Sequence, residues 1–372
     1  MLKTAAVIGR SFVYRVLRAV SEGGADLDHH LADLQQLELI REKTRLPELE
    51  YLFKHALTQE ATYESILLRR RRELHRRVGE VIEGLFADRL EEFYGLLAYH
   101  FARAEEWEKA QEYLFKAGDH AGRVAADAEA LAYYRQASAA YARVFGDRWD
   151  PVQRAALERK MGEALFRRGE HQQAMEYLQR ALTYLGRPFP TSRWGVRLAI
   201  VRQILQQAGH RLLPRLFLRS EGFGSPAAEE QTRLYEAMGW IDYFVDVERL
   251  FLEALTLLNV SERNRFSFGI ARGSMGIGLI SDFLSMFWLG GIYHRRAVAL
   301  AAEIQHPLAI GLADLGLAFH ELHAVGHCDR ALELFRRSAA AYREAGELRR
   351  WGAAATMVAW VLRFIGHPAD SL

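Results

Sequence analysis

The sequence predicts an all-α protein in which a short N-terminal module of different pattern precedes a long α–α superhelix. Three observations carry this. A helix–turn–helix pattern recurs at fixed offsets: Met161, Gly162 and Leu165 precede a turn at Gly169 and then Ala174, Leu178 and Ala181. Leu97, Ala98 and Phe101 precede Ala110, Leu114 and Ala117 in the same spacing, and Ala318, Phe319 and Leu322 precede Gly326, Ala331, Phe335 and Ser338. Only 8 prolines occur in 372 residues rich in Ala, Leu, Arg and Glu, which suits helix throughout. Half the residues are apolar, enough for a sizeable core.

Residues 1–90 lack the repeat. Residues 2–20 read as one helix and 26–40 as a second, with Leu27, Leu31, Leu34 and Leu37 on one face. Residues 50–53 are a short extended stretch. A third helix is expected over 57–86, turning Tyr63, Ile66, Leu67, Leu74, Val78, Val81 and Ile82 inward. Two helices, an extended hairpin and a third helix give the order of a winged helix.

Repeats begin near Glu91 and fill 91–186, the weakest copy carrying Ala130, Tyr134 and Ala137. Pro188 and Pro190 close this block, because proline cannot continue a helix interior. Residues 187–226 read as a connector with one amphipathic helix (Trp194, Leu198, Val201, Leu205) and a Gly/Ser/Pro stretch ending at Pro226. A second repeat block spans 227–372. Ala297 and Ala331 stand 34 residues apart, the period of tetratricopeptide repeats. Small residues let paired helices approach, large ones fill the space beside them, and Gly169, Gly326 and Gly366 suit helix ends of positive φ. GHPADSL at 366–372 echoes GHCDRAL at 326–332, so the last unit is expected to be cut in half and the chain to be a fragment truncated at its C-terminus.

Charge excludes little: 49 basic and 47 acidic residues leave a net charge of +2, no general argument for nucleic acid or membrane. The lone Cys328 forms no internal disulfide, and a cytoplasmic location is expected. No secretory signal is visible, and the most apolar stretch, 276–293, is interrupted by Asp282, so no membrane partner is expected.

The most distinctive local text outside the repeats is Phe53-Lys54-His55-Ala56-Leu57, with Gln59, Glu60, Tyr63, Glu64 and Ser65 following. With Ala5-Ala6-Val7-Ile8-Gly9-Arg10-Ser11-Phe12 and the run 31–41, it resembles the region after the ATPase core of bacterial STAND-type signalling ATPases, where a winged helix precedes tetratricopeptide repeats. The resemblance spans nearly the whole chain, is specific for the winged helix and generic for the repeats, and points to relatives that also carry an adenylate/guanylate cyclase domain. It implies a non-catalytic regulatory or sensor segment: the repeats bind a protein or peptide in their groove, and the winged helix relays this to an upstream ATPase domain. It also implies that His55 contacts the phosphate of a nucleotide held by that ATPase. A histidine at a strand–helix junction satisfied by local backbone is the alternative. Two other readings stay open: a segment of an ATPase–repeat transcription regulator, or a free-standing repeat adaptor.

No cofactor is expected in this chain itself; ATP or ADP would belong to the parent. There is no G-x-x-x-x-G-K-[ST] loop, and Gly269, Gly273, Gly276 and Gly278 lie in a helical pattern with no preceding strand, where glycine permits close helix packing. His320, His323, His327 and Cys328 invite a metal, but His320-Glu321-Leu322-His323 has two residues between its histidines rather than three, so structural or surface histidines are expected and no metal is assigned. The basic cluster at 69–72 with Arg76 and Arg77 is expected to be the solvated face of a long helix or to meet an acidic surface, and DNA is not expected as a partner. No nucleophile elbow or facing acid pair exists, so no catalytic residue is assigned.

Overall fold

The computed structural model describes residues 1–21, 26–45, 48–146, 148–213 and 225–366. It is a helical array with one small sheet, divided into two compact units. The first comprises Met1–Asp150 and Glu163–Glu170, the second Pro151–Gly162 and His171–Leu372.

The first unit opens with α1 (Leu2–Ile8), β1 (Ser11–Val13), α2 (Tyr14–Val20), α3 (Leu27–Gln36), β2 (Ile40–Thr44) and β3 (Glu50–Phe53). The three strands form an antiparallel sheet in the order β1-β3-β2, with Ser11 opposite Leu52 and Arg41 also opposite Leu52 on the other side. The order is helix–strand–helix–helix–strand–strand, and the expected helix over 2–20 is two helices with a strand between. Gly9 is the reason: its φ of 149° is closed to side-chain-bearing residues and ends α1. Likewise the helix expected to reach 40 stops at Gln36, and Ile40 begins β2.

The third helix is also two pieces, α4 (Ala56–Glu64) and α5 (Leu68–Leu85). Ile66 is buried as expected, whereas Leu67 between them is 81% exposed rather than inward. A single core joins Phe12, Leu17, Leu31, Phe53, Val78, Ile82 and Phe86 to the helices that follow. These are a 3-10 stretch (Ala87–Phe93), α6 (Tyr94–Arg103), α7 (Trp107–Arg123) and α8 (Asp127–Phe145). Gly79 explains how closely α5 packs on α6, since a Cβ there would sit 2.8 Å from the Phe101 ring.

The next helix, α9 (Pro151–Arg167), gives Pro151–Gly162 to the second unit. There follow α10 (His171–Tyr184), α11 (Arg193–Leu212), α12 (Pro226–Val245), α13 (Val247–Asn264) and α14 (Ser267–Phe283). Then come α15 (Phe287–Ile304), α16 (Pro307–His320), a π-helical turn (Glu321–Val325), α17 (Cys328–Glu344) and α18 (Leu348–Phe364). From α12 onward each helix packs on the next as an antiparallel repeat would. Caps set the ends: Ser225 Oγ accepts from Ala228 N at 3.1 Å, with Pro226 at the first helical position, and Asp246 Oδ1 accepts from Arg249 N at 3.2 Å. Gly169, Gly326 and Gly366 take φ of 83°, 80° and 88°, as their sequence positions require.

Two features of this unit depart from a simple repeat. The amphipathic helix α11 turns its polar side inward: Asn259 Nδ2 donates to Gln203 O at 2.9 Å, and His210 Nδ1 lies 2.7 Å from Glu262 Oε2. Its apolar stripe, Trp194, Leu198 and Leu205, faces solvent. Second, α13 carries Arg249 and Glu253 beside Asp242 of α12, a buried acidic pair. Pro307–Val325 is the one described stretch long and apolar enough to cross a membrane, and 56% of it is buried against protein. The end of the expected connector, 214–224, and the echoing text at 367–372 lie outside the described residues.

Candidate binding groove

Within the first unit, α4 to α8 enclose an open cavity of about 690 Å³. The break between α4 and α5 shapes its rim. Tyr63 comes from the end of α4; Leu68, Arg71 and Arg72 come from the first turn of α5. The helix α6 contributes Gly95, Ala98, Tyr99, Ala102 and Arg103; α7 contributes Trp107 and Leu114; α8 contributes Tyr133, Gln136 and Arg143. Repeat chemistry thus makes the floor: Ala98 and Leu114 are two of the small and large positions of the first copy. Gly95 leaves room for Tyr133, whose hydroxyl would lie 2.6 Å from a Cβ there.

Four arginines and four aromatic rings line this space, and they fall into two classes. Arg71 is locked: it pairs with Glu64 at 3.2 Å, donates to the carbonyls of Glu64 and Ile66, and lies 4.2 Å from the centre of the Tyr63 ring. Arg72 pairs with Glu105 at 2.6 Å. Arg103 and Arg143 instead stand exposed against aromatic faces, 5.5 Å from the Tyr99 ring centre and 4.1 Å from that of Trp107. Among the described residues neither has a carboxylate within ion-pair distance. Stacking holds each guanidinium in place while leaving its N–H edge free to bind.

Behind the groove runs a buried polar chain. The Tyr63 hydroxyl lies 3.0 Å from His75 Nε2, and His75 Nδ1 lies 2.9 Å from His100 Nδ1. Burial, with Arg103 and Arg71 nearby, lowers the His75 pKa to about 4; burial and then His75 lower that of His100 to about 3. Both imidazoles are therefore neutral at pH 7. The cavity wall is thus a fixed array of donors over a neutral, rigid backing, suited to holding an anion and an aromatic or apolar side group together.

The sequence-derived candidates are placed as follows. His55 is exposed at the strand–helix junction before α4, its carbonyl accepting from Thr58 N and Gln59 N, with no side-chain cap. It does not line the groove. The basic cluster is largely neutralised within the chain: Arg70 pairs with Glu73, Arg71 with Glu64, Arg72 with Glu105 and Arg76 with Glu80. Gly273 lies against Leu258, whose Cα a Cβ would approach to 2.8 Å, so the glycine run serves close packing of α14 on α13. His323 and His327 are exposed and engage Phe319 O and Glu321.

His320 is different. The structure brings it together with Asp282 and His294, residues that sequence reasoning did not connect. The three are separated by 11 and 25 intervening residues on successive helices, a spacing with no local motif. The groove was missed for a similar reason: Arg103 and Arg143 are single surface arginines in sequence, given meaning only by the rings beneath them. The interleaving of Tyr99, Arg103 and Trp107 was the one signal available.

No family model and no curated protein matches the chain. Several solved structures are similar to it, among them these two. One is a Signal Transduction ATPase with Numerous Domains (STAND) protein with a tetratricopeptide repeat sensor from Pyrococcus horikoshii, at 12% identity and a TM-score of 0.39, covering 97% of this chain. The chain spans about half of that protein, 53% of its length. The other is the apo form of RapI, at 13% identity and a TM-score of 0.46, covering all of this chain and 95% of RapI.

Proposed function

We propose that the chain is a non-catalytic sensor segment whose cavity between α4 and α8 captures an acidic segment of a protein partner. The observation that carries the reading is the pair Arg103 and Arg143, two cations with no carboxylate partner among the described residues, held against Tyr99 and Trp107 at the mouth of a 690 Å³ cavity. A cation left unpaired beside a concave aromatic wall is how proteins recognise carboxylate-bearing chains. The helical hairpins supply a rigid frame, and α5 belongs at once to the winged-helix-like module and to the cavity wall. Occupancy would therefore be felt by that module directly through Arg71 and Tyr63.

In the larger setting that the N-terminal text suggests, the module would pass this signal to an upstream ATPase domain of a cyclase-linked signalling protein. His55, exposed on the face beside Lys54, would there donate to the phosphate of ADP or ATP held by the ATPase. A transcription regulator of similar plan or a free-standing adaptor would use the same cavity.

The test is binding of a fluorescein-labelled peptide rich in Asp and Glu with one Leu or Phe anchor, followed by anisotropy. Arg103→Gln and Arg143→Gln should each weaken binding about tenfold, the loss of one charge-assisted contact of about 1.4 kcal/mol. A charge-reversed Lys peptide should not bind. Equal binding of both peptides, or affinity unchanged in both variants, would discard the reading. The purified chain should also turn over neither ATP nor GTP.

A further inference from the structure

We propose that Asp282, His294 and His320 form a buried binding site for a divalent first-row transition metal, with Zn²⁺ the reference ion. The residues come from three consecutive helices, α14, α15 and α16, within the second unit, and the site is independent of the groove. One ligand atom from each residue lies within 4.8 Å of the others. His294 Nε2 and His320 Nδ1 stand 2.9 Å from Oδ2 and Oδ1 of Asp282, and all three side chains are at most 9% exposed. Two imidazoles and a carboxylate are the donor set that such ions prefer. Zinc bonds of about 2.0–2.1 Å at a tetrahedral angle place neighbouring donors about 3.3 Å apart, so the two histidine–carboxylate distances need to open by only a few tenths of an ångström.

Three further observations point to a ligand rather than to a plain hydrogen-bonded cluster. The Asp282 carboxylate has no Lys or Arg partner among the described residues, so an isolated negative charge would be buried against two imidazoles. A divalent cation removes that cost. Around the cluster the helices spend glycine where Ala is the better helix former. A Cβ on Gly278 would lie 2.6 Å from the His294 ring, one on Gly316 3.1 Å from its Nδ1 and one on Gly291 3.1 Å from His320 Nε2; one on Gly290 would overlap Asp282 Oδ1. Gly278 and Gly290 keep this space for the donor groups, while Gly316 and Gly291 also make room for Met275 and Arg295. The π-helical turn begins at the residue after His320, an interruption that often marks a functional position.

The three donors come from three helices, so a bound ion would clip those helices together, and three protein donors leave the fourth position to water. The test uses the full chain, stripped with chelator and titrated with Zn²⁺ and with Co²⁺. One equivalent of Zn²⁺ should survive desalting and raise Tm by several degrees, and Co²⁺ should give visible d–d absorption of a four-coordinate site. Asp282→Asn and His320→Gln should weaken Zn²⁺ binding by at least about tenfold, whereas His323→Ala and His327→Ala should not change it. Wild-type protein that retains no metal and shows no Tm shift overturns the proposal without any variant. Wild-type affinity in folded Asp282→Asn and His320→Gln, judged by far-UV circular dichroism, overturns it as well.

Discussion

The neutral histidine pair behind the groove makes a measurable pH dependence. Unfolded, His75 and His100 titrate near their ordinary 6.5; folded, they titrate at about 4 and about 3. Both folded values are depressed, so between pH 6.5 and 4 the unfolded chain takes up protons that the native chain refuses, and stability falls as pH falls. Going from pH 7 to pH 5, each histidine accounts for a loss of about 2 kcal/mol, and the pair about 4 kcal/mol as an upper figure. Other groups push the opposite way: burial raises Asp314 to about 6 and holds Glu253 well above the carboxylate range, so those carboxyls favour the native state as pH drops. The informative quantity is therefore the difference between wild type and a His75→Gln, His100→Gln double variant, each measured by urea unfolding at pH 7 and pH 5. The variant is expected to start less stable and to lose about 4 kcal/mol less over that interval. Parallel pH profiles for the two proteins would refute the argument, as would imidazole NMR signals of the pair titrating near 6.5 in the native state.

Further outcomes follow from packing. Gly273→Ala forces a Cβ against the Leu258 backbone, which cannot yield as a side-chain tip can, and should cost about 1–3 kcal/mol in chemical unfolding. Phe335→Ala empties the core shared by Leu317, Ala331 and Leu362, with an expected loss of about 3–5 kcal/mol. Glu230→Ala removes the partner that nearly buried Arg159 holds at 2.6 Å and should cost about 1–3 kcal/mol, where an exposed pair such as Arg70–Glu73 would cost under about 1.

The helical repeat was legible because its signal is periodic: Ala98, Phe101, Ala110 and Leu114 recur in other copies, and each is buried where the pattern puts it. The strands β1 and β2 were not legible. Three to five residues between helices give too short a run for alternation, and only Gly9 betrays the break. The gap after α4 escaped for the opposite reason, since Leu67 and Leu68 read as helix interior although both are exposed. Of the sites, the exposed position of His55 agrees with its place before a helix, but the two constellations with most chemistry were invisible. Asp282, His294 and His320 meet through tertiary packing of three helices, and Arg103 and Arg143 acquire meaning from rings on neighbouring turns.

The central claim is that the cavity between α4 and α8 takes an acidic segment through Arg103 and Arg143. The most direct measurement is the salt-dependent affinity of the labelled acidic peptide for wild type and for the Arg103→Gln, Arg143→Gln double variant. The account predicts binding that weakens with added salt in wild type and falls about a hundredfold in the double variant, if the two contacts act independently. Binding that is indifferent to both arginines, or that survives unchanged in high salt, would contradict it.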